Sequence, residues 1–250
     1  MKHLVAVGQP LSQPDSSLNF SLAQKWAKEA AGRGATLLLL PELFDSGYHL
    51  GQKESGFSLE QISRAENISI VCGLSSREGG RSRNSSVFFS SEGSTQRYDK
   101  LHLFEGGVQP ESQFFFAGEK RAEWIWQSVK ATPLICYDLR FPELARAGAV
   151  AGSEVFFVSS AWPESRREIF RVLCQSRAIE NQAFLLSSNL AGTSSAGHFA
   201  GHSMVVGPDG AILAEAGEGQ ELLFAELDFT QIGKVRTRMP CLRQRNPGAY

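Results

Sequence analysis

The chain has 250 residues, and its 25 Lys and Arg against 26 Asp and Glu give a formal net charge of −1 at pH 7. No long run of one charge sign occurs, which argues against a nucleic-acid partner. The apolar part of MKHLVAVGQP is too short for a secretory signal, and no apolar run approaches the length of a membrane span. We therefore expect a cytoplasmic protein with no membrane partner.

The sequence contains no linker-like stretch, internal repeat or low-complexity segment. We expect a single domain over 1–250 that ends in a polar C-terminal arm at about 230–250. The predicted elements, in chain order, are strand 4–9, helix 18–32, strand 35–42, helix 59–65, strand 67–75, hairpin 84–99, strand 131–138, helix 141–152, strand 153–161, helix 164–182, and strands 183–192, 201–210, 211–217 and 221–229. This alternation, with hairpins inserted, predicts an α/β fold with mixed sheets.

The first predicted helix has an apolar face at helical spacing, formed by Leu18, Leu22, Trp26 and Ala30. Glycines at 32 and 34 should end this helix. The apolar runs at 37–40 and 155–158 suit strands that are buried on both faces of a sheet.

The four cysteines, Cys72, Cys136, Cys174 and Cys241, show no C-x-x-C pair and no histidine at metal-ligand spacing. We therefore predict no metal site, and in a reducing cytosol we expect no disulfides. Cys72 and Cys174 lie in apolar segments and are expected to fill the core.

Cys136 stands where the buried strand of PLICYDLRFPEL runs into a polar turn and then a helix. Backbone N–H groups at such a junction can lower a thiol pKa and bind a developing oxyanion. An ordinary buried strand cysteine is the alternative, and position alone does not separate the two interpretations. None of the five histidines has a local signature that marks it as a base for this thiol.

Two more strand ends carry ionisable groups. Glu42 follows TLLLLP, where burial would raise its pKa and suit it to acid–base catalysis. Lys100 follows the hairpin in QRYDKLHLF, where an ammonium could stabilise negative charge. Taken singly, each residue is better explained as an ordinary surface residue at a strand end.

Three stretches together, LLLLPELFDSGY, RYDKLHLF and LICYDLRFPELAR, resemble the nitrilase superfamily of carbon–nitrogen hydrolases. The similarity continues through RAIENQAF and GHSMVVGPDG and covers the chain from the first strand to Asp228. The resemblance implies a four-layer α-β-β-α sandwich with two stacked mixed β-sheets, and a homodimer or larger homo-oligomer. It implies a Glu-Lys-Cys triad of Glu42, Lys100 and Cys136 that needs no metal or organic cofactor.

The resemblance also implies a second, assisting glutamate in HLFEGGVQPESQFFFAG. We assign this role to Glu111, with Glu105 as the competitor. The implied reaction is cleavage of a small amide to acid and ammonia through a thioester on Cys136. Lys100 and the backbone N–H of Tyr137 would hold the oxyanion, while Glu42 moves the protons.

Within the superfamily, CYDLRFPEL is similar to the omega-amidase branch, which hydrolyses the terminal amide of 2-oxoglutaramate and 2-oxosuccinamate. In SAWPESRREIF, Arg166 could pair with a substrate carboxylate, or it could pair with Glu164 or solvent. Trp162 could wall the pocket or belong to the core. Ile169-Phe170 replaces a His-Trp pair that is common in related sequences.

Other residues near these segments are assigned to structure first. We expect the three phenylalanines at 114–116 to pack, although they could line the site, and Arg140 to support the turn after Cys136. Three alternative functions remain: hydrolysis of N-carbamoyl groups or another small amide, such as a deaminated-glutathione-like compound; hydrolysis of a nitrile; and an inactive homologue that serves as a binding or scaffold protein.

Overall fold

The structure, a computed structural model, describes residues 1–50, 58–78, 81–106, 110–194 and 197–249. Its strands are β1 (Lys2–Gln9), β2 (Leu37–Leu39), β3 (Ser69–Glu78), β4 (Arg81–Phe89), β5 (Thr95–Asp99), β6 (Trp124–Trp126), β7 (Val129–Ile135), β8 (Val155–Ser160), β9 (Phe184–Asn189), β10 (Ala191–Ser194), β11 (Gly197–Ala200), β12 (Met204–Val206), β13 (Ile212–Glu215) and β14 (Glu221–Asp228). The α-helices are α1 (Ser16–Gly32), α2 (Leu59–Ala65), α3 (Pro142–Val150), α4 (Arg167–Asn181) and α5 (Thr230–Arg238).

Two mixed six-stranded sheets form the centre of the molecule. The first has the order β14-β1-β2-β3-β4-β5, in which β1, β2 and β3 are parallel. The second has the order β13-β12-β9-β8-β7-β6, in which β7, β8 and β9 are parallel. A separate antiparallel pair is formed by β10 and β11.

The sheets stack through their inner faces, and helices cover the outer ones. Between the sheets, Phe88 of β4 stacks on Trp124 of β6, with ring centroids 5.8 Å apart. Helices α1 and α2 pack on the first sheet, whereas α3 and α4 pack on the second. The predicted α-β-β-α sandwich is therefore confirmed, with apolar strands buried on both faces as the sequence indicated.

The buried face of α1 differs in part from the prediction. Trp26 and Ala30 are buried as expected, but Leu18 is 54% exposed and Leu22 is only partly buried. Phe20, Ala23 and Ala27 supply the rest of the buried face instead. The helix begins after the Asp15 cap, two residues earlier than predicted, so Leu18 lies in its exposed first turn.

Strands β6 and β11 were not predicted from the sequence. Within the stretch expected to be a C-terminal arm, α5 is helical and its Ile232 is buried in the main core. Residues 239–249 beyond it are largely exposed. No helix in the described ranges has both the length and the apolar character needed to cross a membrane.

The fold brings several strand ends to one end of the sandwich. Because β5 follows β4, which is antiparallel to β3, the carboxyl ends of β2, β3 and β5 lie at one edge of the first sheet. The parallel strands β7 and β8 end beside them, since the Ser159 hydroxyl of β8 donates to the Leu40 carbonyl just after β2 at 3.0 Å. In sheets with parallel strands, ligands bind outside such carboxyl ends.

Candidate active site

Cys136 lies at the first position of a 3₁₀ turn, Cys136–Arg140, directly after β7. Its φ of +45° is in the left-handed region, which costs a residue with a side chain on the order of 1–2 kcal/mol. The residue is 9% exposed, and the backbone of Ala161, the residue after β8, acts to lower the pKa of its thiol. A strained turn therefore holds this sulfur at the strand ends.

Glu42, Lys100 and Glu111 form a buried charged cluster at the same strand ends. The Lys100 ammonium donates to Oε1 of Glu42 at 2.6 Å and to Oε1 of Glu111 at 2.8 Å. All three side chains have no solvent exposure. The structure thus brings both predicted carboxylates to Lys100, and neither Glu42 nor Lys100 occupies the ordinary surface position that the sequence had left open.

The two oxygens of Glu42 have different surroundings. Oε1 accepts hydrogen bonds from Lys100 and from the Asn84 amide at 2.7 Å. Oε2 is buried and has no hydrogen-bond partner among the described residues. A buried carboxylate oxygen without a partner is costly, so this atom is free to take a proton or a ligand. Asn84 was missed by the sequence reasoning, because an asparagine in the middle of a strand gives no local catalytic signal.

Glu111 is held by donors on both oxygens. Oε1 also accepts from the Tyr48 hydroxyl at 2.8 Å, and Oε2 accepts from the Phe104 N–H at 2.9 Å. Glu105, the competitor, is exposed and accepts from Ser112 at the surface. The geometry therefore places Glu111, and not Glu105, against Lys100; residues 107–109 of the same loop lie outside the described residues.

The charges of this cluster act on Cys136 and on one another. Burial raises the pKa of the Cys136 thiol well above its usual range, and the Glu42 charge raises it further, while Lys100 opposes both. Burial also raises the pKa of Glu42, against the effect of Lys100. Burial alone would lower the pKa of Lys100, but the carboxylates of Glu111 and Glu42 outweigh it and raise the pKa. Burial and Glu42 thus favour the neutral thiol of Cys136, whereas Lys100 favours its thiolate.

Aromatic rings and two arginines lie next to the turn. The Tyr137 ring contacts the Phe104 ring edge to face, with centroids 5.3 Å apart. The Arg166 guanidinium lies 5.3 Å from the centroid of Phe104, and that of Arg140 lies 4.9 Å from the centroid of Trp162.

Arg166 forms no ion pair with Glu164, so pairing with a substrate carboxylate and pairing with solvent remain as the two alternatives. Glu164 pairs with Arg167 instead, at 3.2 Å. Within the described ranges Arg166 has no carboxylate partner, and it is only partly buried. Its guanidinium donors are therefore available to solvent or to a ligand.

Trp162 is buried, and its ring lies against Phe170 with centroids 5.5 Å apart, so it belongs to the core while contacting Arg140. Phe170 is fully buried, whereas Ile169 is 44% exposed on α4. Of the three phenylalanines, Phe115 is buried and Phe116 is 51% exposed. Ile169 stands where related sequences commonly have a histidine, so this difference lies at a surface position and not at a buried one.

The four cysteines are free thiols, and Cys72 and Cys174 are fully buried, as expected of core-filling residues. Cys241 is exposed. Cys136 is the cysteine whose thiol is acted on by the charges of Glu42, Lys100 and Glu111.

Comparison with known proteins identifies the family of the chain. The model of the carbon–nitrogen hydrolase family matches residues 4–237. The chain belongs to this family. It is accordingly a hydrolase of carbon–nitrogen bonds, and the resemblance to the nitrilase superfamily is confirmed.

Individual relatives cover most of the chain. It is 34% identical over 223 residues to a 2-oxoglutaramate amidase of Bacillus subtilis, covering 85% of each protein. The NitFhit protein of C. elegans superposes with a TM-score of 0.92 at 27% identity, and the match covers all of this chain and 66% of that longer one.

A third relative is an amidase variant from Nesterenkonia sp. AN1 that carries the acetamide moiety of fluoroacetamide at its active-site cysteine. It superposes with a TM-score of 0.86 at 28% identity, over 99% of this chain and 95% of that one.

Proposed function

We propose that this hydrolase is an amidase that cleaves the terminal amide of a small carboxylate-bearing substrate through a thioester on Cys136. The observation that carries the proposal is the unequal pairing of Glu42. One oxygen is fixed by Lys100 and Asn84, and the other is buried without a partner in a carboxylate whose charge acts on the thiol. These contacts support the roles of nucleophile for Cys136, base for Glu42 and cation for Lys100.

In the first half-reaction, the thiol proton of Cys136 passes to Oε2 of Glu42 as the sulfur attacks the amide carbonyl carbon. The carbonyl oxygen becomes an oxyanion, which the Lys100 ammonium and the Tyr137 N–H stabilise. When the intermediate collapses, the carbon–nitrogen bond breaks, and Glu42 returns the proton to the departing ammonia. A thioester remains on Cys136.

In the second half-reaction, Glu42 takes a proton from water, and the hydroxide attacks the thioester carbonyl. Collapse breaks the carbon–sulfur bond and releases the acid, and the proton returns to the Cys136 sulfur. The net change is amide plus water to acid plus ammonia. Glu111 acts through Lys100, because both of its oxygens are occupied by donors and neither is free to exchange protons with substrate.

One arginine beside the site supports a proposal for the substrate class. The partly exposed Arg166 guanidinium, without a carboxylate partner among the described groups, can hold an acid in two parallel hydrogen bonds. The Bacillus subtilis relative is by its name a 2-oxoglutaramate amidase, which acts on a substrate that carries such an acid. We therefore propose 2-oxo acid monoamides of the 2-oxoglutaramate and 2-oxosuccinamate type.

The test is ammonia release from 2-oxo acid monoamides, N-carbamoyl amino acids and simple aliphatic amides. Cys136→Ala should lower turnover more than a thousandfold, and Cys241→Ala, the same change at an exposed cysteine, should leave it unchanged. We expect the 2-oxo acid monoamides to be turned over with the highest kcat/KM. Retained turnover in Cys136→Ala would refute the nucleophile.

Other outcomes separate the alternatives. Preferred release of ammonia together with carbon dioxide from N-carbamoyl amino acids would contradict the substrate class while keeping the triad. Failure of the folded wild-type chain to turn over any amide would favour an inactive homologue.

A further inference from the structure

A second buried carboxylate lies two residues after Cys136. The Asp138 side chain has no solvent exposure and accepts four hydrogen bonds. Oδ2 accepts from the Ile135 N–H at 3.0 Å and from the Tyr98 hydroxyl at 2.7 Å. Oδ1 accepts from the His102 N–H at 3.1 Å and contacts Nδ1 of the same histidine at 2.8 Å.

These donors come from both sides of the site. Ile135 is the residue before Cys136, so its bond to Asp138 closes the turn that contains the nucleophile. Tyr98 and His102 stand two residues before and two residues after Lys100. One carboxylate therefore ties the cysteine turn to the segment that carries the lysine.

The turn needs such support, because Cys136 has a φ of +45°. A left-handed residue with a side chain persists only where the surrounding structure determines it. The chemistry of Tyr98 and His102 suits donors that stay hydrogen-bonded to Asp138. Burial, then Asp138, raises the pKa of Tyr98, so this hydroxyl stays a donor. Nδ1 of His102 lies 2.8 Å from Oδ1 of Asp138, so the tautomer with a proton on Nδ1 donates to this carboxylate.

His102 is fixed further by its ring, which stacks on Phe141 at the end of the same turn. The two centroids are 3.6 Å apart and the planes are 8° from parallel. Tyr98 also accepts from the Leu101 N–H at 3.3 Å, which fastens the segment after Lys100 a second time.

We propose that Asp138, with Tyr98 and His102, forms a positioning cluster that fixes the Cys136 turn relative to Lys100. The inference rests on the proposed roles of Cys136 and Lys100. None of the three residues touches the reacting atoms in this proposal. They hold the thiol where Glu42 can take its proton and Lys100 can stabilise the charge, so their loss should lower kcat rather than raise KM.

The experiment compares Asp138→Asn with Asp99→Asn. Asp99 is next to Lys100, but its carboxylate accepts from Ser85 and Arg97 and does not bind the Cys136 turn. Asp99→Asn therefore makes the same chemical change without removing a contact to that turn. We expect Asp138→Asn to lower kcat by about 10²-fold with KM within threefold of wild type, and Asp99→Asn to change both by less than threefold. Tyr98→Phe, which deletes one of the four donors, should lower kcat by about threefold to tenfold.

A second readout needs no substrate. Iodoacetamide labelling, followed by peptide mass analysis, reports all four cysteines in one sample. The exposed Cys241 gives the reference rate, while the buried Cys72 and Cys174 become labelled only if the fold opens. In Asp138→Asn, Cys136 should be labelled at least tenfold more slowly relative to Cys241, because a displaced thiol can no longer pass its proton to Glu42 and its thiolate loses the stabilising charge of Lys100.

The proposal is overturned if folded Asp138→Asn keeps both kcat and the Cys136-to-Cys241 labelling ratio within twofold of wild type. If labelling of Cys72 and Cys174 reveals that Asp138→Asn is unfolded, the test passes to Tyr98→Phe with the same two readouts. A Tyr98→Phe variant with wild-type kcat and a wild-type labelling ratio would then overturn the proposal. Wild-type protein without amidase activity would refute the proposed function alone, since the labelling ratio still tests the cluster.

Discussion

The floor and the rim of the site are built differently. On the floor, Glu42, Lys100 and Glu111 are fully buried and hold one another at 2.6 to 2.8 Å. On the rim, Arg166 and Arg140 are partly exposed and rest on aromatic rings at 5.3 and 4.9 Å.

This difference separates chemistry from selection. Buried charges have strong, fixed interactions because little water screens them, so the floor suits bond-breaking steps that tolerate no misplacement. A guanidinium on an aromatic face keeps its donors available, so the rim suits recognition of whatever acid the substrate carries. We expect changes on the floor to act on kcat and stability, and changes on the rim to act on KM and substrate choice.

The largest effect is expected from Lys100→Met. Removing one partner of a buried charge cluster leaves Glu42 and Glu111 uncompensated and should lower the free energy of unfolding by about 3–5 kcal/mol. Activity should be lost with it, since the oxyanion loses its cation. Ammonia release and urea unfolding measure both effects, with the exposed Lys130→Met as the control. Wild-type stability of Lys100→Met would contradict the description of the floor.

Glu42→Gln should come next. The amide preserves the shape of the side chain but cannot accept the thiol proton, so kcat should fall by about 10²- to 10⁴-fold, as for loss of a general base. The same change at the exposed Glu105 should have no effect on kcat. A Glu42→Gln enzyme with more than a tenth of wild-type kcat would mean that another group takes the proton.

The pH dependence gives a finer test of the floor. Glu42 must be ionised to act as a base, and burial raises its pKa, so kcat/KM should fall on acidification from a higher pH than for an ordinary glutamate. The Asn84 amide favours the ionised form of Glu42. Asn84→Ala should therefore raise the pKa further and move the acid limb to higher pH. A shift to lower pH would contradict this account.

The smallest effect belongs to the rim. Arg166→Ala should raise KM for 2-oxo acid monoamides by about 10- to 100-fold, the size expected for a charge-assisted hydrogen-bonded contact, with little change in kcat. For neutral aliphatic amides, the KM of Arg166→Ala should equal that of the wild type. The neighbouring Arg167→Ala, which removes a surface pairing with Glu164, is the matched control. Equal losses for acidic and neutral amides would remove Arg166 from substrate recognition.

The sequence predicted the charged residues of the floor better than the residues that form hydrogen bonds to them or hold the Cys136 turn. Glu42 and Cys136 each follow a strongly apolar strand, and Lys100 follows a strand of the predicted hairpin, so three strand ends with ionisable residues could be found and matched to a family pattern. Asn84, Tyr48 and Asp138 have no such signal. They lie in the middle of a strand or in turns, and their roles depend on distances between segments that are up to 63 residues apart, as in the Tyr48–Glu111 bond.

The fold shows the same limit. Long apolar strands and the amphipathic helices were predicted because their periodicity is local. The strand β6 has three residues, and β11 contains Gly197 and His198, so neither carries a run of apolar residues long enough to signal a strand. Helix α5 buries Ile232 among mostly polar neighbours, and only packing against the core marks this face.

The central claim, that Cys136 carries the acyl group, is tested most directly by acid quenching of the enzyme during turnover of a 2-oxo acid monoamide, followed by peptide mapping. We predict an acyl mass on the Cys136 peptide, with Cys72, Cys174 and Cys241 unmodified. Acylation of another residue, or full ammonia release with the Cys136 peptide unmodified throughout the time course, would contradict the account.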